Sequence, residues 1–243
     1  MLIMTDPFDI TSTERDPYFN NVSILLKGDG ANGSTSILDS SLSPKTMTAV
    51  GNASISTAES KFGWSSFAFD GSGDYLVGTA AQHDAYNFPG DFTIECWYYA
   101  NSLIPEQRYA IAGKWEEKHF SWLFFIEQGS LSFATGSAGA YGFVHTANTT
   151  INTGTWYHTA ASRSGTQLRL FLNGNLLYTA TETRNLTSSD TSFLHIGVNQ
   201  DGLPSNSSIL FYADGYIDEF RITKGVCRYT ASFTPRTLPF PNY

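Results

Sequence analysis

An acidic and an aromatic side chain alternate along one apolar segment, Phe92-Thr93-Ile94-Glu95-Cys96-Trp97-Tyr98. Successive residues of an extended strand point to opposite faces of a sheet, so Glu95 and Trp97 share one face and the apolar set lies on the other. On a concave face this pair can contact a ligand, whereas on a convex face it is only a solvated pair. Both alternatives stay open, and Glu95 and Trp97 are candidate ligand-binding residues.

Aromatic residues in or near predicted loops are the second source of ligand contacts, because the flat face of an aromatic ring can stack on a sugar ring. Trp115 and Tyr141 are the candidates chosen on this ground. Trp122 and Trp64 are explained at least as well by packing, since large aromatic rings dominate protein interiors. The predicted ligand-binding set is therefore Trp115, Tyr141, Trp97 and Glu95.

Three aspartates form a candidate metal site. Asp70 and Asp74 bracket a Gly-Ser-Gly turn, and Asp218 alternates with Phe220, which places its carboxylate on a face that reads as buried. A buried carboxylate must be paired, hydrogen-bonded or metal-bound, and calcium takes oxygen ligands of this kind. The alternative is that Asp70 and Asp74 cap turns while Asp218 accepts backbone N–H bonds.

The residue patterns of common catalytic sites are missing from the sequence. The five histidines show neither His-X-His nor His-X-X-X-His spacing, which argues against a zinc site. No Gly-X-Ser-X-Gly segment is present to place a serine nucleophile. The sequence therefore predicts no catalytic residues.

The charge and composition of the chain limit its possible partners and its cellular location. A formal net charge of -8 without clustered Lys and Arg argues against a nucleic-acid partner. The first residues lack the features of a signal peptide, and no apolar run approaches the 18 or so residues that span a bilayer. We expect a chain made in the cytoplasm, without membrane insertion. Cys96 and Cys227 are expected to be free thiols, with a disulfide bridge between them as the alternative.

The elements that position these residues are short β-strands separated by Gly, Asn, Asp and Ser clusters, with no long amphipathic helix between them. Residues 1–15 show no periodicity and are predicted to form an N-terminal arm, and residues 16–243 form one domain with an extended C-terminal tail. Strands are predicted at 22–26, 46–50, 65–69, 75–77, 92–99, 108–113, 121–126, 130–135, 157–163, 167–172, 175–180, 193–198 and 215–223. A type I′ turn at Asn173-Gly174 is expected to pair Phe171 with Leu176.

Five strings, spread over most of the chain from about residue 16 to residue 241, carry a resemblance to a known family. They are VSILLKGDGANGSTSILDSS, SKFGWSSFAFDGSGDYL, DFTIECWYY, GTWYHTAASRSGTQLRLFLNGNLL and GYIDEFRITKGVCRYTASFTPRTLPFP. Together they resemble the laminin-G-like, concanavalin A-like lectin/glucanase superfamily. The opening and closing strings resemble its single-domain versions in tailed-phage structural proteins.

The resemblance implies an all-β fold with two antiparallel sheets of six or seven strands each, packed as a jelly-roll sandwich. It also implies that the strand at 215–223 lies beside an early strand and brings the chain ends together. The family's hydrolase signature, Glu-X-Asp-X-X-Glu or Glu-X-Asp-X-Glu, is absent. The resemblance to related domains with a structural calcium ion is the further ground for the candidate site at Asp70, Asp74 and Asp218.

The predicted function is that of a non-catalytic bacteriophage virion component, such as a tail-fibre, baseplate or capsid-decorating module. It would act in host-surface glycan recognition or in particle assembly. Its expected partners are other virion proteins, host cell-surface polysaccharide, or copies of itself in a homo-oligomer. The alternatives are a free carbohydrate-binding lectin and a glycoside hydrolase that uses Glu95 and Glu127.

Overall fold

The computed structural model describes residues 15–105, 107–116, 119–137, 140–188, 192–199 and 211–243, and the side chain of Tyr141 lies outside this description. The predicted N-terminal arm over residues 1–15 falls outside it except for Arg15. Within the described ranges, no helix is long and apolar enough to cross a membrane.

The described residues form 17 short strands and two short 3-10 helices, at Phe19–Asn21 and Ala80–Tyr86. In chain order the strands are β1 (Val22–Leu26), β2 (Thr48–Val50), β3 (Ser54–Ser56), β4 (Ser66–Asp70), β5 (Tyr75–Val77), β6 (Phe92–Ala100), β7 (Arg108–Lys114), β8 (Trp122–Glu127), β9 (Ser130–Ser137), β10 (Ala140–Ala147), β11 (Trp156–Ser164), β12 (Gln167–Leu172), β13 (Asn175–Thr181), β14 (His195–Ile196), β15 (Val198–Asn199), β16 (Phe211–Tyr212) and β17 (Asp214–Lys224). Each predicted strand overlaps an observed one, whereas β3, β10 and β16 were not predicted.

Two antiparallel sheets make up the fold. The eight-stranded sheet has the order β13-β12-β11-β6-β17-β4-β3, with β1 paired to β17, and the seven-stranded sheet has the order β10-β9-β8-β7-β14-β5-β2. Strands β15 and β16 form a separate two-stranded ribbon. The predicted two-sheet antiparallel sandwich is confirmed, and its sheets hold eight and seven strands where six or seven each were expected.

The core lies between the two sheets and is built by alternation along the strands. Phe92, Ile94, Cys96 and Tyr98 of β6 are fully buried in it. Trp122, Phe124 and Ile126 of β8 face them from the other sheet and belong to the same cluster. The predicted core face of β6 is confirmed, and both cysteines are free thiols.

The closing strand β17 pairs with β1, β4 and β6, so it lies beside an early strand as predicted. The backbone N–H of Asp16 donates to the carbonyl of Tyr243 at 3.1 Å. The start of the described chain and its last residue therefore meet at one place on the sandwich.

Strand β17 contains a β-bulge that its sequence did not predict. Asp218 lies opposite Trp97 of β6, and Arg221 lies opposite Glu95, so β17 uses one more residue than its partner over this stretch. Glu219 takes a positive φ of 52° within the bulge. An extra residue of this kind shifts every later side chain to the other face of the sheet.

The bulge decides which side chains of β17 reach the core. Ile217, Phe220 and Ile222 belong to the core cluster, whereas Asp218 and Arg221 lie with the outward-facing side chains of β6. The expectation that Asp218 shares a face with Phe220 was wrong, because simple alternation does not hold across a bulge. Asp218 is nevertheless buried, as predicted.

The hairpin of β12 and β13 turns at Asn173-Gly174, whose φ values are 49° and 76°. Phe171 lies opposite Leu176 as predicted. Leu170 lies opposite Tyr178, because the register of the hairpin shifts by one residue between Leu170 and Phe171. The Asn-Gly turn therefore predicted the residue pairing next to the turn, but it did not predict the register further along the hairpin.

Candidate functional site

The outer face of the eight-stranded sheet is covered by the C-terminal segment, residues 225–243. The rings of Tyr229 and Phe233 lie 6.0 Å and 5.5 Å from the ring of Phe171. Phe240 is 2% exposed and lies 3.7 Å from the guanidinium of Arg221. This segment covers the part of the face around Phe171 and Arg221.

Glu95 lies under the C-terminal segment at the centre of an ionic cluster. Its Oε1 accepts hydrogen bonds from two Arg221 nitrogens at 2.7 Å and 3.0 Å. Its Oε2 accepts one from the hydroxyl of Tyr229 at 2.8 Å and lies 3.2 Å from Nε2 of His158. Burial by itself raises the pKa of Glu95, but Arg221 and His158 outweigh it and hold the pKa well below its ordinary value.

Asp16 extends this cluster to both ends of the described chain. It accepts a hydrogen bond from Arg221 at 3.0 Å and two from Arg228 at 2.7 Å and 2.9 Å. Burial raises the pKa of Asp16, yet the hydrogen bond and the charge of Arg228 lower it overall. The cluster therefore joins the first described residues, the sheet and the C-terminal segment.

Two predicted ligand-binding residues, Glu95 and Trp97, belong to this covered face. Trp97 is 6% exposed, and the ammonium of Lys61 lies 4.0 Å from its ring centre while Phe62 packs against it edge-on at 5.7 Å. A ring and a carboxylate that are covered by protein offer no surface to a sugar. The structure therefore gives Glu95 and Trp97 a packing role where ligand contact was expected.

The other two predicted residues lie on the seven-stranded sheet. Trp115 is 1% exposed and packs in a small cluster with Leu123, Phe125 and Phe211 on the outer side of that sheet. Its ring is thus part of a buried contact, which corrects the expectation that it stacks on a ligand. Tyr141 lies in β10, and its side chain falls outside the described residues.

The candidate calcium ligands Asp70 and Asp74 are occupied by backbone donors. The N–H of Ser72 donates to Asp70 at 2.9 Å. Asp74 accepts from the N–H of Asp70 at 3.0 Å and from that of Asn52 at 2.5 Å. Both carboxylates thus hold turns, which is the alternative left open by the sequence.

The carboxylate of Asp218 lies away from those of Asp70 and Asp74. It accepts the backbone N–H groups of Lys61 and Phe62 at 2.8 Å and 3.0 Å. Asp70 lies opposite Asp214, four residues away from Asp218 along β17. The three aspartates form no common site, and across the described ranges no group of three or more His, Cys, Asp or Glu side chains is placed to hold a metal ion.

An open cleft of about 410 Å³ lies on the outer face of the seven-stranded sheet. Leu76 of β5 and Ile196 of β14 belong to the core, so the residues next to them in sequence point outward. The cleft is lined by Tyr75, Val77, Glu116, Phe193 and His195. Val77 lies opposite His195, which fixes the two halves of the lining against each other.

His195 forms the inner wall of the cleft. It is 5% exposed, and its Nδ1 finds no partner at hydrogen-bond distance among the described residues, with the carboxylate of Glu116 at 3.8 Å. Burial lowers the pKa of His195 to about 4, and a contact with the Phe193 backbone offsets this only in part. The imidazole is therefore uncharged at neutral pH.

Glu116 and two rings complete the cleft. The carboxylate of Glu116 accepts the N–H of Phe193 at 2.8 Å, which fixes its orientation, and burial raises its pKa. The rings of Tyr75 and Phe193 lie 5.8 Å and 6.2 Å from the imidazole of His195. Flat rings beside a fixed hydrogen-bond acceptor are a combination that ligand-binding sites commonly show.

Sequence reasoning missed all of these lining residues. The strings Tyr75-Leu76-Val77 and Phe193-Leu194-His195-Ile196 do alternate, and this signal could have placed Tyr75, Phe193 and His195 on outward faces. The pairing of β5 with β14 could not be inferred, because the two strands are far apart in sequence.

Comparison with solved structures finds the same fold in toxin binding domains. The receptor-binding domain of the botulinum neurotoxin C/D mosaic serotype is 12% identical with a TM-score of 0.62, covering 92% of this chain and 49% of that one. The binding domain of Paraclostridial Mosquitocidal Protein 1 is 14% identical with a TM-score of 0.64, covering 89% and 50%. Botulinum neurotoxin type C, whose cell entry is dependent upon interaction with two ganglioside molecules, has a solved structure that is 14% identical with a TM-score of 0.63, covering 93% and 50%.

The chain spans about half the length of these solved structures, and at this identity the likeness concerns the fold. The search of curated proteins found no match. A family model described as the concanavalin A-like lectin/glucanases superfamily matches residues 70–228, which is more than half of the sequence. The chain therefore belongs to the concanavalin A-like lectin/glucanases superfamily.

Proposed function

We propose that this domain is a non-catalytic carbohydrate-recognition module that binds a glycan in the cleft formed by Tyr75, Val77, Glu116, Phe193 and His195. The observation that carries the proposal is the geometry of this cleft. Two rings flank a buried His195 whose Nδ1 has no hydrogen-bond partner among the residues that the structure describes, beside a carboxylate held in place by a backbone N–H. Ligand sites typically combine an apolar lining with a few fixed polar groups in this way.

The solved structures of similar fold support a binding role. They include receptor-binding or binding domains of toxins, and botulinum neurotoxin type C interacts with two ganglioside molecules. For this chain, glycan recognition rests on the cleft itself, because low identity carries no ligand from one protein to another.

The same geometry favours binding over hydrolysis. Glycoside hydrolases of the common kind place two carboxyl groups on either side of the bond to be cleaved. The described lining of the cleft supplies one carboxylate, that of Glu116. The pair considered from the sequence is not available, because Glu95 is enclosed in its ionic cluster and Glu127 pairs with Arg108 at 2.5 Å.

We expect Tyr75→Ala to weaken glycan binding by about tenfold or more, because a ring that stacks on the ligand contributes at least about 1.4 kcal/mol. Trp64→Ala is the matched control, since Trp64 is 84% exposed and lies outside the cleft. Glycan-array screening followed by titration calorimetry on the best ligand measures both variants. Equal losses in both variants, or an unchanged affinity in Tyr75→Ala, would contradict a site in this cleft.

Within this function we propose a bacteriophage virion as the setting, with the domain as a tail-fibre, baseplate or capsid-decorating module. Its partners would be host-surface polysaccharide, other virion proteins and further copies of the chain. The support is the resemblance of the opening and closing strings to tailed-phage structural proteins. Mass spectrometry of particles purified from cells that make this chain should detect it at a fixed ratio to the major structural proteins, and particles without it would refute the setting.

A further inference from the structure

We infer that the cleft selects an uncharged sugar ring and disfavours sugars that carry a carboxylate or a sulfate. The inference rests on the proposed function and adds the chemical class of the ligand. It follows from the charges and the hydrogen-bonding groups of the residues that line the cleft and would face a bound ligand.

The described lining has one anionic side chain and no cationic one. Glu116 is the anion, while Tyr75, Val77 and Phe193 carry no charge. His195 is enclosed to 5% exposure, and its burial favours the neutral ring. An anionic sugar entering the cleft would meet the carboxylate of Glu116 with no cation in the described lining to neutralise either group, in surroundings where charges are poorly screened.

The basic side chains that act to lower the pKa of Glu116 lie outside the described lining. They are His119 and Lys114. Lys114 is fully buried, and its Nζ donates to Asn87 at 2.6 Å and to the carbonyl of His83 at 3.3 Å. Its ammonium is engaged inside the sandwich and is not directed at a ligand.

The hydrogen-bonding groups of the cleft match hydroxyls. The carboxylate of Glu116 uses Oε1 for the N–H of Phe193 and keeps further acceptor capacity. A sugar hydroxyl can donate to this carboxylate and can pair with Nδ1 of His195 in either tautomer, since a hydroxyl both donates and accepts. A sugar carboxylate accepts hydrogen bonds only, so it cannot satisfy Glu116.

The test compares acidic oligosaccharides with the same compounds after reduction of each carboxyl to an alcohol, so that the ring is kept and the charge removed. Titration calorimetry at about pH 7, where the imidazole of His195 is neutral, measures the binding of both forms. We expect binding of reduced forms about tenfold or more tighter than binding of the acidic forms. Affinity for the reduced forms should change little when salt rises, because no ion pair is formed.

Glu116→Gln removes the charge and keeps the shape of the side chain, so it should reduce the ratio of the affinity for reduced forms to the affinity for acidic forms. Glu59→Gln, on the loop before β4, is the control and should leave this ratio unchanged. A preference for the acidic forms, or an unaltered preference in Glu116→Gln, would overturn the inference and leave the proposed function intact. Failure of the wild-type domain to bind either form, or any other glycan on the array, would overturn both. If a variant fails to fold, the comparison of acidic and reduced oligosaccharides on the wild-type domain still tests the inference.

Discussion

Glu95→Ala is expected to lower the free energy of unfolding by about 3–5 kcal/mol, the cost of leaving one partner of a buried ion pair alone. Arg221 is 2% exposed and gives two hydrogen bonds to Glu95, so the substitution leaves its charge buried with Asp16 as the remaining partner. The hydroxyl of Tyr229 also loses its acceptor. Chemical denaturation followed by fluorescence measures the loss.

Glu127→Ala is the matched control for this prediction. Glu127 pairs with Arg108 at 2.5 Å, but each side chain is 24% exposed, so water replaces the lost partner. Such a pair contributes at most about 1 kcal/mol. If Glu95→Ala cost no more than Glu127→Ala, the ionic cluster would not be what holds the C-terminal segment to the sheet.

The cluster also explains why the two faces of the sandwich differ. The C-terminal segment is fastened by Arg228, Tyr229 and Phe240, and it covers the outer face of the eight-stranded sheet. The open cleft is found on the opposite sheet.

The fold could be predicted because its signals are local and repeated. Alternation in β6 placed Phe92 and Ile94 in the core, and the Asn173-Gly174 turn placed a hairpin, as the structure confirms. The bulge in β17 could not be predicted in this way. Glu219, a residue that rarely takes a positive φ, occupies the position where a glycine would have signalled an irregularity.

The site was less predictable, because it depends on which surfaces the rest of the chain covers. Glu95 and Trp97 were correctly placed on one face, but residues from the C-terminal segment and from the loop at Lys61 cover them. No local pattern states that a distant segment will pack there. The cleft residues Tyr75 and His195 meet only through sheet pairing, which the sequence leaves unspecified.

Raising the pH from about 6.5 to about 8.5 is expected to destabilise the domain through two neighbouring acids in the β17 bulge. Asp218 and Glu219 are each 1% exposed, and burial raises their pKa values to about 7 and about 8. Backbone N–H groups of Phe62 and Lys61 lower the first value, and that of Phe240 lowers the second, without cancelling the effect of burial. Asp29 lies close enough to add repulsion when the acids ionise.

Proton linkage gives the direction in which the free energy of unfolding changes with pH. Both folded pKa values exceed the ordinary values of 3.8 and 4.5, so above about pH 4.5 the folded state holds protons that the unfolded state has lost. The contribution of these two groups to stability is therefore fully present below their ordinary pKa values and falls by up to about 1.4 kcal/mol per group and pH unit, until the folded carboxyls ionise near pH 7 and pH 8. His195, whose folded pKa is lowered to about 4, acts in the opposite direction only below its ordinary value of 6.5.

Unfolding measured at half-unit steps between pH 6.5 and 8.5 should show this loss, and Glu219→Gln should flatten it. The amide oxygen of glutamine can still accept the N–H of Phe240, so the variant removes the titration and keeps the contact. Glu127→Gln changes an acid outside the bulge and should keep the wild-type slope. A wild-type domain equally stable across this range, or a Glu219→Gln variant with an undiminished slope, would mean that the bulge carboxyls ionise as ordinary acids despite their burial.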